Sequence, residues 1–437
     1  MIFLLLLLLA AIGGLMQAAT NYVTIAASAT AQLAFGYLLL TAFLTGKIVN
    51  RLGLPKLTGY IISGVVSGPF VLGLVDAPMT KSLSIVSGAA TAIIALEAGL
   101  ELRLSSVRRV ARTLRAITLL AVVGAMFVLG GTVYLLSPYL PFLQAYEPQQ
   151  AAAVAMVLGV ALSAQSPAVV MALLAELRAA GPVSEILLAS VVVADLVVIV
   201  CFSIASAVCG ALIGSGIDPL VTARDVGWEI FGSIGFGLLV GGLLGLFLRL
   251  VQSGAPVFAL AICVIVAEAG PRVHLDPLIM MLTAGLWVSN FSRADTAVLL
   301  SGFEAAQLPV FLVFFALAGA KLDLDILTSS FVPIAILASA RAASFFVGGK
   351  LATAITGAPP LVRKYAWFGL VPQAGLALAL ALVMDKTFPT FGKPASVIMI
   401  GVVGFNELIA PVILRAMLLR TGESGKKQGG DFAAGGH

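Results

Sequence analysis

The stretch SEILLASVVVADLVVIVCFSIASAVCGALI, residues 184–213, is almost unbroken apolar sequence after Glu185, with a second carboxylate, Asp195, near its middle. As a helix rising 1.5 Å per residue, it is long enough to cross a hydrocarbon core of about 30 Å. A charge at the centre of such a helix is costly to bury, so an ionisable residue there is a functional hypothesis by default. The stretch therefore predicts a membrane helix that carries a functional acid.

The composition of the whole chain points to the same environment. The 437 residues are 60% hydrophobic and 10% charged, with a mean hydropathy of +1.12, whereas soluble domains carry about 25% charged residues. We therefore predict an all-α polytopic membrane protein, which excludes a soluble enzyme. No Ser/His, His/Glu or paired-Asp constellation predicts an intramembrane enzyme, and no cofactor is expected. Cys201, Cys209 and Cys263 lack metal-ligand spacing, so we expect no metal beyond a transported ion.

Hydropathy predicts about thirteen transmembrane helices, or fourteen if residues 1–19 are retained. Those first residues have the apolar core of a signal peptide but no positive flank, so they are either signal-like or an extra transmembrane segment. The thirteen spans are predicted at 25–49, 57–74, 83–100, 114–136, 150–177, 184–213, 226–250, 255–270, 275–290, 304–320, 331–354, 362–384 and 392–419.

Lysine and arginine are unequally distributed between the two sides of this arrangement. Eighteen lie on the side that includes the C-terminus and six on the other, and the richer side of a membrane protein faces the cytoplasm. The net charge of +5 is explained by these loops and does not suggest nucleic acid. We predict a multi-pass protein of the cell inner membrane with a cytoplasmic C-terminus. The polar, Gly-rich residues 420–437 are predicted to be a disordered cytoplasmic tail.

The second half of the chain repeats features of the first in the same order. AGLELRL at 98–104 matches AGAKLDL at 318–324 in four of seven positions, and Ser63-Gly64 matches Ala284-Gly285. Each pair is seven spans apart, and because seven is odd, the halves have opposite orientation. This predicts the inverted-repeat plan of secondary transporters, with repeats at 25–213 and 255–419 joined by a linker helix at 226–250.

Two further matches predict where the helices of the repeats are broken. SAQSP at 163–167 and VPQAG at 371–375 each place a proline beside a glutamine inside an apolar span. Proline removes a backbone donor and disfavours helix at the preceding residue, and carbonyls freed inside a membrane must line a cavity or be buried in protein. We therefore predict two crossed, unwound helices, with Asn406-Glu407 as the pseudo-symmetric counterpart of Asp195. The residues that mark this expectation are Ala164, Gln165, Ser166, Pro167, Pro372 and Gln373.

Several motifs together resemble one transporter family. Spread over residues 30–420 in family order, they are similar to those of the Kef-type monovalent cation:proton antiporters, in the cation:proton antiporter-2 group. The motifs are LGLPKLTGYIISGVVSGPFVLGL (52–74), ALEAGLEL (95–102), ALSAQSPAVVMALLAEL (161–177), VVADLVV (192–198), VFFALAGAKLDL (313–324) and LVPQAGLALALAL (370–382). The resemblance implies a core of crossed, unwound helices that moves against a dimerisation domain, and hence a homodimer.

The resemblance also implies site residues. The family's ion-binding acid falls on Asp195, its unwound stretch on residues 164–166, and its membrane-embedded basic residues on Arg341 or Lys350. Electrogenic members have a second acid just before the first, whereas this chain has Ala194, which favours electroneutral exchange. The nucleotide-binding domain of the potassium-efflux branch is absent from the sequence given.

The residues themselves support the same chemistry. If the core reorients only when Asp195 is neutralised by a proton or by Na⁺ or K⁺, exchange follows, with Ser166 and Gln165 as further oxygen ligands. Arg341 compensates Asp195, Glu407 or the C-terminal ends of broken helices, or pairs structurally with Asp195; Lys350 lies nearer the helix end. Two alternatives stay open: a cation- or proton-coupled symporter of a small organic anion, and a non-transporting membrane sensor.

Overall fold

The computed structural model describes residues 2–22, 27–102, 104–213, 224, 227–251, 254–292, 296–322 and 324–426. Within these ranges the secondary structure is entirely helical, as the apolar sequence requires, because a backbone in hydrocarbon must satisfy its own hydrogen bonds. Several helices, among them α9, α10 and α14, have a proline in the first turn, where its missing N–H leaves no hydrogen bond unmade. The prediction of an all-α polytopic fold is confirmed.

Twenty α-helices follow one another in the residues that the structure describes. They are α1 (Ile2–Tyr22), α2 (Ala27–Arg51), α3 (Lys56–Ser67), α4 (Ala77–Ser82), α5 (Ser84–Glu101), α6 (Leu104–Ile117), α7 (Gly124–Leu135), α8 (Pro141–Gln144), α9 (Pro148–Leu162), α10 (Pro167–Leu177), α11 (Pro182–Ile213), α12 (Ser233–Leu250), α13 (Ala255–Ala269), α14 (Pro277–Asn290), α15 (Ala297–Ala320), α16 (Leu324–Ser329), α17 (Phe331–Ile355), α18 (Pro360–Tyr365), α19 (Gly375–Thr387) and α20 (Gly392–Thr421). Short π-helical or 3₁₀ turns add Thr118–Val123, Ser137–Tyr139, Trp228–Gly232, Gly270–Val273 and Ala366–Leu370.

Ten helical segments in the described ranges are long and apolar enough to cross a bilayer, and three shorter apolar helices accompany them. The number thirteen stays a prediction. The boundaries differ from expectation at three places. The basic stretch after residue 103, expected as a loop, forms amphipathic α6 and continues into the span. The predicted span at 57–74 is helical only to Ser67, and the span at 304–320 begins earlier, at Ala297.

The helices pack into two groups. The core bundle consists of α6, α7, α9, α10, α11, α17, α18, α19 and α20, and it contains both predicted broken spans. The scaffold bundle consists of α1, α2, α3, α5, α12, α13, α14 and α15, with α1 packed on α2. Contacts are dense within each group and sparse between them, where α10 and α20 meet α3 and α5. This division gives two bodies that share a limited interface.

Two glycine pairs in the scaffold bundle show equivalent helix crossings in the two halves of the chain. Gly99 on α5 and Gly285 on α14 face each other, and a methyl group on either would collide with backbone of the other helix. On α3 and α15, a methyl group on Gly64 or Gly319 would likewise collide with backbone of the other helix. Small residues allow such close approach of membrane helices. The predicted repeat, which pairs Ser63-Gly64 with Ala284-Gly285, therefore corresponds to equivalent helix crossings, and its bounds stay predictions.

The C-terminal segment differs in part from the predicted disordered tail. After α20, the Glu423 side chain is 3% exposed and accepts hydrogen bonds from the backbone of Val183 and Ser184 and from the Ser184 hydroxyl, each at 2.7–2.8 Å. It thereby caps the N-terminus of α11, where a carboxylate is favoured by the unpaired N–H groups and the helix dipole. Residues 420–426 are thus docked on the core bundle, and 427–437 lie outside the described residues.

Candidate functional site

The two predicted helix breaks occur where the prolines indicated. α9 ends at Leu162 and α10 begins at Pro167, and the short 3₁₀ turn ends at Leu370 before α19 begins at Gly375. In the first break, the Ser166 hydroxyl accepts a hydrogen bond from the Val169 N–H at 3.3 Å and so caps α10. Pro372 lies in the second break. The prediction of two unwound helices is confirmed.

Arg341 joins the two breaks. Its guanidinium is 1% exposed and donates to the carbonyl oxygens of Leu162, Ala164, Leu370 and Val371. It also lies 4.7 Å from the centroid of the Phe345 ring. These carbonyls are the negative ends of two helical segments, so they offset the charge of an always-protonated guanidinium. Among the roles predicted for Arg341, these contacts fit compensation of the C-terminal ends of the broken helices. The described structure has no ion pair between Arg341 and Asp195.

Asp195 lies opposite the first break without such compensation. Its side chain is 2% exposed, and neither carboxylate oxygen has a hydrogen-bond partner of normal geometry among the described residues. The Gln165 backbone N–H is close enough to interact with the Asp195 carboxylate. The Gln165 side chain donates to the Ser163 carbonyl, while its Oε1 is buried and has no hydrogen-bond partner in the described structure. Three acceptor oxygens of this region therefore lack a hydrogen bond of normal geometry, which is unfavourable unless a proton or cation joins them.

The glutamine of the second break, Gln373, differs from Gln165 in its hydrogen bonds. Asn406, the predicted counterpart of Asp195, donates from Nδ2 to Gln373 Oε1 at 2.9 Å. Gln373 in turn donates from Nε2 to the Leu162 carbonyl at 3.1 Å. The glutamine of the second break is thus satisfied at both ends, whereas that of the first is not. At the second break, the side-chain amides of Asn406 and Gln373 are hydrogen-bonded to each other. At the first break, the oxygens of Asp195 and Gln165 lack such partners.

Two other predicted residues lie apart from this centre. Glu407 is 1% exposed and neither of its oxygens has a hydrogen-bond partner in the described structure; Lys321 is near enough to attract it electrostatically. Lys350 has its ammonium 5.8 Å from the centroid of the Phe346 ring and lines no part of the cavity that contains Asp195. The structure therefore brings Asp195, Gln165 and Ser166 together and leaves Lys350 outside.

A cavity of about 280 Å³ lies between the two bundles and contains Asp195. The core bundle contributes the first break, the middle of α11 and the start of α19, and the scaffold bundle contributes α5, the end of α13 and the start of α14. No lysine or arginine lines it among the described residues. Its polar and charged lining residues are Thr91, Gln165, Ser166, Asp195 and Asp276.

On the other side of Asp195, polar contacts join the bundles. Glu176 on α10 accepts the Lys56 N–H at 3.1 Å from either oxygen and so caps α3 of the scaffold bundle. Arg415 on α20 donates to the Gly53 carbonyl at 2.6 Å and lies 3.8 Å from Glu176. The cavity leads from the first break towards Asp276, at the opposite ends of these helices. The cavity therefore lies on the Asp276 side of Asp195, and these polar contacts between the bundles lie on the Glu176 side.

Comparisons with known proteins agree with this arrangement. The family model described as sodium/hydrogen exchanger, transmembrane, matches residues 38–420. The chain belongs to this family. The membership places the exchanger among cation:proton antiporters, which are transporters. A comparison with curated protein sequences finds no match.

Solved structures of a sodium proton antiporter, MjNhaP1 from Methanocaldococcus jannaschii, share the fold of the exchanger. The structure at pH 8 superposes with a TM-score of 0.67 at 18% identity, covering 91% of this chain and 100% of that one. An electron-microscopy structure gives 0.68 at 19%, covering 89% and 96%. At this identity the likeness concerns the fold alone, and it extends over nearly the whole of both chains.

Sequence reasoning missed one cavity residue of the exchanger. Asp276 lies in PRVHLDP, which reads as a solvated turn, and Arg272 in that turn is indeed exposed. The pair Asp276-Pro277 is nevertheless a helix-start signal, with a capping acid before a first-turn proline. That signal predicts the start of α14; nothing in the local sequence indicates that the same carboxylate lines the cavity of Asp195.

Proposed function

We propose that the exchanger moves Na⁺ or K⁺ against H⁺ by alternating access, with Asp195 binding cation and proton in competition. The main observation is that Asp195 is 2% exposed, has no hydrogen bond of normal geometry to either oxygen among the described residues, and lines a cavity between two bundles. A lone buried carboxylate is expensive to keep charged. It therefore favours whichever neutralising partner reaches it, a proton or a cation.

The coordinating groups that we propose for the cation are all oxygens. They are the Asp195 carboxylate, the Gln165 side-chain oxygen and the Ser166 hydroxyl, an oxygen set that suits a hard ion. The Ala164 carbonyl already accepts from Arg341 and the Ser163 carbonyl from Gln165, so we do not propose those two backbone oxygens as ligands. We propose that Arg341, Gln373 and Asn406 position the breaks without touching the ion.

Electroneutral exchange is the stoichiometry that we propose. Ala194 precedes Asp195, so the motif offers one titrating acid, and one acid exchanges one proton for one monovalent cation. An organic-anion symporter is disfavoured, because no basic side chain lines the cavity among the described residues and an anion would meet Asp195 and Asp276. Lys350 is not proposed as a compensating charge, since it lies over Phe346 outside that cavity.

The finer assignments follow from the resemblance and are likewise proposals. We infer membership of the Kef-type subgroup, a homodimer, and a place in the cell inner membrane with the C-terminus in the cytoplasm. Cross-linking in native membranes tests the dimer, and modification of a cysteine introduced at Lys426 from either side tests the orientation. Under this orientation the Asp276 side is extracytoplasmic.

The decisive experiment follows proton flux in proteoliposomes. With an imposed pH gradient and an internal pH-sensitive dye, adding Na⁺, K⁺ or Li⁺ is expected to cause cation-dependent flux in the wild type. Asp195→Asn is expected to abolish it, while Asp385→Asn, which changes an exposed acid outside the cavity, leaves it intact. Exchange retained by Asp195→Asn would sink the assignment. Repeating the assay at clamped membrane potentials tests stoichiometry, since electroneutral exchange proceeds at the same rate at each potential.

A further inference from the structure

A second carboxylate, that of Asp276, lines the cavity of Asp195 from the scaffold bundle. Its Oδ1 accepts the N–H groups of Leu278 at 2.7 Å and Ile279 at 3.1 Å, and so caps α14. Its own N–H donates to the buried Ser233 hydroxyl at 2.8 Å. The residue is therefore held in place at both its backbone and its side chain, in a fixed position of the scaffold bundle.

The cap uses only one of the two Asp276 oxygens. Both capping bonds reach Oδ1, and Oδ2 has no donor among the residues that the structure describes. The nearby Arg272 pairs with Glu268 and is largely exposed, so it does not neutralise Asp276. Asp276 and Asp195 are close enough to interact electrostatically, and Asp195, which is 2% exposed and has no hydrogen bond of normal geometry in the described structure, lines the same cavity. Two carboxylates thus line one cavity that holds no basic group.

We propose that Asp276 forms an entry site for the monovalent cation, which the ion occupies before it reaches Asp195. The inference rests on the proposed function and adds a second binding position at the Asp276 side of the cavity. A cavity lined by charge of one sign and walled by apolar groups raises the local concentration of counter-ions. Because Asp276 belongs to the scaffold bundle and Asp195 to the core bundle, movement of the core separates them. Asp276 therefore assists binding from one side of the membrane only.

The test compares the cation KM on the two sides of the membrane, because the entry site is expected to act on one side only. Asp276→Asn removes the charge but keeps a side chain that caps a helix about equally well. Asp76→Asn is the matched control, because Asp76 likewise caps a helix, α4, by accepting the Met79 N–H at 2.8 Å, lies on the same side of the protein and lines no part of the cavity. Cation KM is measured with Na⁺ and with K⁺ in right-side-out and in everted vesicles, so that the cation is offered to each side in turn.

Asp276→Asn is expected to raise KM about three- to tenfold, the size of a partly screened charge interaction, for cation supplied on the Asp276 side. KM on the opposite side and the maximal rate stay near wild type, and Asp76→Asn changes neither. An unchanged KM, or an equal rise on both sides, overturns the entry site while leaving the proposed exchange standing, provided that wild-type flux is present. A wild type without cation-dependent flux overturns both.

Discussion

Replacing Arg341 by methionine tests whether the two broken helices depend on one buried guanidinium. Methionine keeps similar length and apolar bulk but donates no hydrogen bond. The Leu162 carbonyl keeps the donor supplied by Gln373, whereas the carbonyls of Ala164, Leu370 and Val371 lose the one supplied by Arg341. The substitution thus leaves three buried carbonyls without that donor.

The expected magnitude follows from those three carbonyls. Each buried polar group left unsatisfied costs about 1–3 kcal/mol, a gross loss of about 3–9 kcal/mol. Removing the buried charge of Arg341 returns part of this, so a net loss of about 3–5 kcal/mol is expected, as for breaking a buried ionic contact. At about 2–4 °C per kcal/mol, the apparent melting temperature in detergent falls by roughly 6–20 °C.

Lys350→Met is the control for this measurement. Lys350 lies on the same helix, α17, and the substitution removes the same charge, but its ammonium contacts the Phe346 ring and no carbonyl of either break. Surface charges of this kind contribute little to stability, so its melting temperature is expected to stay within about 2 °C of wild type. Equal melting temperatures for the two variants would refute the reasoning, because Arg341 would then not be holding the helix ends.

Three further changes test separate contacts. Gly99→Ala is expected to cost about 1–3 kcal/mol, because the added methyl meets the backbone of α14, while Gly242→Ala, with nothing within 4 Å, is neutral in the same thermal assay; equal stability of the two would contradict the close crossing. Glu423→Ala is expected to cost about 1–2 kcal/mol through loss of the α11 cap, with Lys426→Ala as the neutral control and proteolysis of the C-terminal segment as the measurement. Glu176→Ala and Arg415→Ala, combined in a double-mutant cycle, are expected to couple by about 0.5–1 kcal/mol because their charges are 3.8 Å apart; a coupling near zero would contradict this and show that Arg415 acts through Gly53 alone.

The parts of this fold that could be predicted from the sequence are those encoded locally. Apolar length gives the spans, prolines give the breaks at 163–166 and 371–374, and a motif repeated seven spans later gives the inverted halves. Asp195 could be predicted as a candidate site residue because a charged residue is unusual in the middle of a long apolar helix. Asn406 was identifiable only through the repeat, since an amide there carries no such signal.

The parts that could not be predicted depend on contacts between distant segments. Arg341 was recognisable as a buried charge, but its four carbonyl partners come from two segments 29–179 residues away. Asp276 reads locally as a helix cap, and only the packing of α14 against the core bundle makes it a cavity residue. Glu423 reads as part of a polar tail, yet it caps α11 from 239–240 residues away. Local sequence patterns do not predict contacts between segments that are this far apart in the chain.

The two helix breaks differ in their hydrogen bonding, and this difference affects the net charge that the core bundle would carry when it moves. The positive charge of Arg341 is distributed over four carbonyls, and Asn406 closes the second half with a neutral amide pair, so neither depends on the bound ion. Only Asp195 then changes state within the cavity, and a proton and a monovalent cation neutralise it equally. Under the exchange proposed above, the loaded core carries the same net charge in either direction, which is the physical reason for proposing electroneutral exchange. Glu407 is the one further buried carboxylate of the described core bundle without a hydrogen-bond partner; it does not line the cavity, and Lys321 is near enough to attract it.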